Sequence, residues 1–499
     1  MKGALMVCGT TSDAGKSHVV TGLCRLLARR GVAVAPFKAQ NMALNSYVTR
    51  SGHEIGRAQA VQALAAGIEP EVAMNPILLK PTGERTSQVV VNGEPIGHLD
   101  AQAYHERKPE LLATVLDALA GLRQRFDVVI AEGAGSPAEI NLLDHDIVNL
   151  RVAAEAGIPA IVVGDIDRGG VFAALYGTVA LLPERYRRLV RGFVINKFRG
   201  DPQLLGDGLA ELERRCGVPT LGVVPYLRGV GLDAEDSLAL DNWRPRSCGP
   251  PAADPLDVAV LRFPRIANVT DLDALSIEPG VAVRLVEDAS ALGNPDLVVL
   301  PGTKATVADL AWLRERGFEG VLPACRRAGT TILGLCGGYQ MLGRRIVDDV
   351  ESGQGAVEGL GMLDVETVFA PAKVTRRRRG SALGAAVDGY EIHHGRTERG
   401  PASEPFALLE DGCGRAEEGA CTPGDMAVVG TSLHGLFEED GFRSAFLAQV
   451  ARRRAKRFVA VGGTFAEART GQFDRLADAL EAHLDLDAVE GLLGEGAGR

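Results

Sequence analysis

A glycine-rich turn set between an apolar strand and a helix constrains this chain more than any other feature. Residues 2–9 form a short apolar run, and Gly9-Thr-Thr-Ser-Asp-Ala-Gly15-Lys16-Ser17 follows it. Apolar residues then recur at helical spacing over 16–30, before a second apolar run at 32–37. Strand, helix and strand in that order make a βαβ unit, with parallel strands and a right-handed crossover. Further buried-strand runs at 127–131, 158–164, 192–196 and 218–225 each follow a helix-length segment. A mainly parallel sheet with helices on both faces is expected.

Residues 241–255 read DNWRPRSCGPPAADP, whose prolines and lack of periodicity mark a linker. Beyond it, strand runs at 257–263, 281–285, 295–300 and 330–335 again alternate with helical stretches. The 499 residues exceed what one hydrophobic core usually serves. The expected fold class is therefore α/β with two doubly wound, mainly parallel-sheet domains. The first spans 1–240, and after the linker at 241–255 the second spans 256–447. A helical extension over 448–499 follows, and its apolar spacing suggests packing against the second domain.

The first turn has the context in which backbone amides and a helix N-terminus cradle a phosphate chain. Gly9, Thr11, Asp13 and Gly15 would line the cradle, Lys16 would hold the β and γ phosphates of ATP, and Ser17 would ligate Mg2+. A bare glycine turn with a solvated lysine is the bland alternative, and the coincidence of strand, helix and Gly-Lys-Ser speaks against it. Glu132, at the end of the apolar strand FDVVIA, is the candidate second metal ligand, with Asp13 and Asp165 as competitors. After the second strand, Lys38, Gln40 and Asn41 stand in a loop dense in groups that bind carboxylates or amides. They are the candidate substrate-binding residues, and Lys38 could stabilise charge on a carboxylate becoming an acyl phosphate.

In the second domain, Gly334-Leu-Cys336-Gly337-Gly338-Tyr-Gln340 places a cysteine between an apolar strand and a helix. Such a nucleophile elbow exposes the sulfur at a helix start, where the dipole favours thiolate and adjacent amides can stabilise an oxyanion. A base is needed, and His434 in Ser-Leu-His434-Gly-Leu436 lies about a hundred residues on. The pair resembles class I glutamine amidotransferases, in which cysteine attacks the glutamine side-chain amide and histidine moves the proton. By the same resemblance Gly302, in Leu-Pro-Gly302-Thr-Lys, and Gly337 would supply oxyanion amides. That class often carries a glutamate two residues after the histidine, where this chain has Leu436. Either a dyad suffices or another group substitutes, Glu438 and Glu439 being nearby. His393 and His394 are adjacent but lack an evident third ligand, so a structural role is expected.

The phosphate loop, one residue longer than the common GxxxxGK[ST] spacing, resembles that of dethiobiotin synthetase and its relatives. Fused to a Cys-His glutaminase, it is similar over nearly the whole chain to the family of cobyric acid synthase and cobyrinic acid a,c-diamide synthase. QNMALNS at 40–46, EGAGSPAEIN at 132–141 and GDIDRGG at 164–170 resemble the first branch. The resemblance implies amidation of four peripheral carboxylates of adenosylcobyrinic acid a,c-diamide, with ATP and glutamine consumed. It implies a glutamine and a corrinoid substrate, whose cobalt arrives with the ligand. A diamide synthase shares the chemistry with a different starting substrate. A ParA-like ATPase switch would have no use for the elbow, and a dead scaffold would not need intact Lys16, Ser17, Cys336 and His434.

A net charge of −10 argues against broad nucleic-acid binding, which needs a basic surface. The Arg376-to-Arg379 run reads as a solvated loop in such a protein, the alternative being that it meets the substrate's carboxylates. No apolar run approaches bilayer-spanning length, so a cytosolic protein is expected. Eight cysteines without a CxxC pair suggest neither a zinc site nor a disulfide framework.

Overall fold

The computed structural model describes residues 2–82, 86–233, 252–412, 414–460 and 463–497. The expected linker lies, up to residue 251, outside the described residues, as do Cys248 and Cys413. Two compact units form. The first takes Met1–Ala43, His53–Leu232 and Arg469–Arg499; the second takes Leu44–Gly52 and Asp233–Ala468.

The first unit is built on a six-stranded parallel sheet. Its order is Thr220–Pro225, Val190–Phe198, Ala160–Asp165, Gly3–Gly9, Val128–Glu132 and Val34–Phe37. The inner strands are apolar without alternation because helices cover both faces. Gly3–Gly9 is central and Val128–Glu132 is its neighbour, so the turn after the first strand and the acid ending the other emerge side by side. A second sheet of Gln40–Met42, Ile77–Pro81, Thr86–Val91 and Glu94–Asp100, absent from the sequence reading, is mostly antiparallel.

The C-terminal helices correct an expectation. From Arg469 on, the helix Phe465–His483 and the helix Leu486–Glu495 pack on the first unit, not the second. Leu480, Leu484, Val489 and Leu493 join one core cluster with Val7, Leu23, Leu27 and Ile130. Arg25 meets Asp474 at 2.8 Å. Helical periodicity shows that a face is buried and is silent on what buries it.

The second unit holds a six-stranded sheet ordered Val281–Val286, Leu256–Leu261, Leu297–Leu300, Thr331–Leu335, Val428–Thr431 and Ala420–Cys421. All pairs are parallel except the last. A seven-stranded sheet, also unanticipated, is dominated by the hairpin of Val365–Ala382 and Ala385–Arg399. The arginine run lies in this hairpin rather than in a solvated loop. Arg376 pairs with Glu391 at 2.5 Å, Arg377 and Arg379 with Asp388 at 3.1 and 2.8 Å, and Arg378 is buried. The cross-strand acids that neutralise these cations lie too far along the chain for a charge-run rule to see. Among the described residues no helix is long and apolar enough to cross a membrane.

Candidate active sites

In the first unit the glycine-rich turn leaves the central strand and enters the helix Lys16–Arg29. Gly15 caps that helix at φ 98°, left-handed backbone that disfavours a side chain, and a Cβ there would lie 2.0 Å from Asn196 Nδ2. Gly9 is small for a related reason: a Cβ would lie 2.9 Å from Lys16 Cγ. Lys16 thus folds back along its own loop and donates to Thr11 O at 2.8 Å, Ser12 O at 3.3 Å and Gly135 O at 3.1 Å. Those carbonyls hold the ammonium over the turn, where a phosphate chain would meet it.

Ser17 Oγ donates to Glu132 Oε1 at 3.0 Å, and Lys38 Nζ donates to the same oxygen at 3.0 Å. Gln62 Nε2 donates to Glu132 Oε2. Burial pushes the Glu132 carboxyl up, but Lys38, Gln62 and Lys16 together hold it below the usual carboxylate range. Asp13 is exposed and pairs with Arg168 at 3.1 Å, and Asp165 pairs with Lys197 at 2.8 Å. A hydroxyl and an ionised carboxylate within hydrogen-bonding reach are hard oxygen donors of the kind Mg2+ takes. Among the described residues no group of three or more His, Cys, Asp or Glu could hold a metal, so such an ion would draw its other ligands from phosphate and water.

Of the second-strand loop, Asn41 is buried and donates to Gln59 Oε1 at 3.2 Å, and Gln40 accepts from Tyr104 OH. The helix Arg57–Ala65 therefore turns Gln59 and Gln62, three residues apart, toward the loop and toward Glu132. Neither glutamine was singled out from sequence. The polar residues on this helix, buried except at Leu64, were the available signal.

In the second unit three candidate groups follow the C-terminal ends of three adjacent parallel strands: Gly302 after Leu297–Leu300, Cys336 after Thr331–Leu335, and His434 soon after Val428–Thr431. Cys336 has φ 48° and ψ −104°, a strained conformation for a residue with a side chain. Its backbone N donates to Thr431 O at 2.8 Å, and Gly338 packs so tightly that a Cβ would lie 2.0 Å from Leu300 O. The elbow is thus wedged between neighbouring strands. At Gly302 a Cβ would lie 2.8 Å from His434 Cε1, and at Gly337 it would lie 3.2 Å from Thr303 N. Gly302 lets backbone approach the imidazole closely, and Gly337 lets the elbow pack against the loop at Thr303.

His434 Nδ1 donates to Asp271 Oδ2 at 2.8 Å, and Gly435 N donates to Asp271 Oδ1 at 2.6 Å. Burial pulls the imidazole pKa down, but Asp271 and Cys336 outweigh it and raise it to about 10. An imidazolium held between a carboxylate and a thiol can give a proton to a leaving amine. Asp271, on the helix Thr270–Ser276, answers the missing glutamate, and Glu438 and Glu439 do not take that place. It was overlooked because it stands 163 residues before the histidine. The signal was an acid in Val-Thr-Asp-Leu-Asp-Ala-Leu, otherwise a core pattern. His393 Nδ1 and His394 Nδ1 engage the backbone oxygens of Gly395 at 2.7 Å and Ala370 at 3.1 Å.

Two families match the chain. The CobQ/CobB/MinD/ParA nucleotide binding domain matches residues 5–238, and the CobB/CobQ-like glutamine amidotransferase domain matches residues 257–442. Curated relatives match throughout. The cobyric acid synthase of Rhodococcus jostii (strain RHA1) is 55% identical over 99% of this chain and 96% of its own. That of Nocardia farcinica (strain IFM 10152) is 54% identical over 100% and 98%. That of Frankia casuarinae (strain DSM 45818 / CECT 9043 / HFP020203 / CcI3) is 53% identical over 99% and 98%.

Proposed function

We propose, for a chain that belongs to the cobyric acid synthase family, that it amidates the four peripheral carboxylates of adenosylcobyrinic acid a,c-diamide to give cobyric acid in cobalamin biosynthesis. The observation that carries this reading is the full-length likeness to cobyric acid synthases, which spans both the phosphate-loop half and the amidotransferase half.

A carboxylate resists attack by ammonia, so two half-reactions are needed. In the second unit, Cys336 Sγ attacks the side-chain carbonyl carbon of glutamine as its proton passes to His434. The backbone amides of Gly302 and Gly337 steady the oxygen that becomes negative. The carbon–nitrogen bond breaks as His434 gives its proton to the leaving nitrogen, and ammonia departs from a thioester on Cys336. Water, relieved of a proton by His434, then releases glutamate. Asp271 keeps the imidazole in register through Nδ1.

In the first unit, the corrin carboxylate oxygen attacks the γ-phosphorus of ATP, ADP leaves and an acyl phosphate forms. Gly9, Thr11, Asp13 and Gly15 shape the cradle, Lys16 neutralises phosphate charge, and Lys38 steadies the carboxylate. Gln40 and Asn41 orient the corrin side chain. Ser17 and Glu132 would hold Mg2+, which when bound offsets phosphate charge. Ammonia then attacks the acyl carbon, phosphate leaves, and the amide remains at a cost of one ATP and one glutamine.

The test is incubation with adenosylcobyrinic acid a,c-diamide, magnesium ATP and amide-labelled glutamine, followed by mass spectrometry of the corrinoid. Stepwise gain of four labelled amides is expected. An unchanged substrate, with cobyrinic acid gaining two amides instead, would transfer the chain to the diamide synthase reading.

A further inference from the structure

We propose that Asn45 and Ser46, encoded in the first half of the chain, are positioning residues for the His434–Asp271 pair of the second unit. The inference rests on the glutaminase reading above. Leu44–Gly52 belongs to the second unit although the sequence around it belongs to the first. Within that unit Asn45 and Ser46 interlock with Asn268. Asn45 Oδ1 accepts from Asn268 N at 2.6 Å and Val269 N at 3.4 Å, and Ser46 N donates to Asn268 Oδ1 at 3.0 Å.

Asn268 needs such support. It sits at φ 56°, left-handed backbone for a residue with a side chain, just ahead of the helix Thr270–Ser276. Asp271 is the second residue of that short helix, so the conformation of Asn268 aims the Asp271 carboxylate. Both Asp271 oxygens are committed, one to His434 Nδ1 and one to Gly435 N, which makes the imidazole follow any shift in the helix start.

The segment reaches His434 by a second route. Tyr390 OH donates to Ser46 O at 3.1 Å, and the Tyr390 ring lies against the His434 imidazole with centroids 5.5 Å apart. Tyr390 also stands opposite His434 in the strand pairing. Asn45, Ser46, Asn268, Asp271, Tyr390 and His434 are all buried. A buried, mutually satisfied polar network of this kind specifies geometry. It grips the histidine from its Nδ1 side and from its ring face.

The test uses the full-length protein, measuring glutamine hydrolysis, ammonia-dependent amidation of the corrinoid and thermal stability. For Asn45→Ala we expect kcat for glutamine hydrolysis to fall at least about tenfold, with KM and ammonia-dependent amidation within about twofold of the parent. Asn45→Asp, which keeps the acceptor, should recover most of the loss. In an Asp271→Asn background, Asn45→Ala should add less than about twofold, because it acts through Asp271. An unchanged kcat, an equal loss of ammonia-dependent amidation, or an undiminished effect in the Asp271→Asn background would each overturn the proposal. Should Asn45→Ala not fold, Tyr390→Phe removes only the hydroxyl on Ser46 O and should lower kcat about threefold, an unchanged value counting against the proposal. Cys336→Ala separates the two levels: glutamine hydrolysis persisting there sinks the glutaminase reading itself.

Discussion

Asp271 Oδ2 lies 2.8 Å from His434 Nδ1, while its other oxygen takes the Gly435 N–H at 2.6 Å. The carboxylate therefore orients the imidazole and stabilises its charged form, the two tasks of the third member of a triad. Asp271→Asn is expected to lower kcat for glutamine hydrolysis by roughly 10²- to 10⁴-fold. Glutamate release measures this, and ammonia-dependent amidation should stay at the parent level.

Lys38 and Glu132 form an ion pair at 3.0 Å with almost no exposure on either side chain. Removing one partner of such a pair strands a buried charge. Lys38→Met should destabilise the first unit by about 3 kcal/mol, and adding Glu132→Gln should restore part of it. Both variants should lose ATP-dependent amidation and keep glutamine hydrolysis. Denaturant unfolding of the single and double variants is the measurement.

Gly15→Ala meets two obstacles at once, a φ of 98° and Asn196 Nδ2 at 2.0 Å from the added carbon. A cost of about 1–3 kcal/mol is expected. The turn would open around Lys16, so nucleotide protection against thermal unfolding should disappear while the glutaminase rate is kept.

Glu418 carries the pH prediction. Its carboxyl accepts from Thr431 Oγ1 and Ser432 N, each at 2.7 Å. Burial, opposed by those two bonds, pushes its pKa up to about 7. A carboxyl raised in the folded state binds its proton more tightly there than in the unfolded chain. Its contribution is complete below the unfolded value of about 4.3 and is lost as pH rises through 7. Glu418→Gln mimics the protonated form and should raise the Tm of the second unit by about 2 °C or more at pH 8. A gain that did not shrink toward pH 4.5 would refute this.

The phosphate turn, the elbow and the alternating strands and helices were legible in the sequence, since each is a short continuous segment whose pattern reports its own conformation. Lys16 with Ser17, Glu132 at its strand end, and Cys336 at its elbow could be named for that reason. Two mostly antiparallel sheets escaped because their register depends on partners elsewhere in the chain, and a run such as Arg376 to Arg379 looks solvated until Glu391 and Asp388 are brought opposite it.

The sequence by itself determined the local conformation: which glycine-rich turn joins a strand to a helix, which cysteine sits on an elbow, and which two domain families the chain joins. Only the tertiary structure decided which distant groups complete those sites. It chose Asp271 for His434, Gln62 for Glu132, Asn45 for Asn268, and the first unit for the C-terminal helices. The physical reason is range. A backbone conformation is written in neighbouring residues, whereas a hydrogen bond or a buried face is satisfied by whatever the folded chain places within about 3 to 4 Å, at any separation along it.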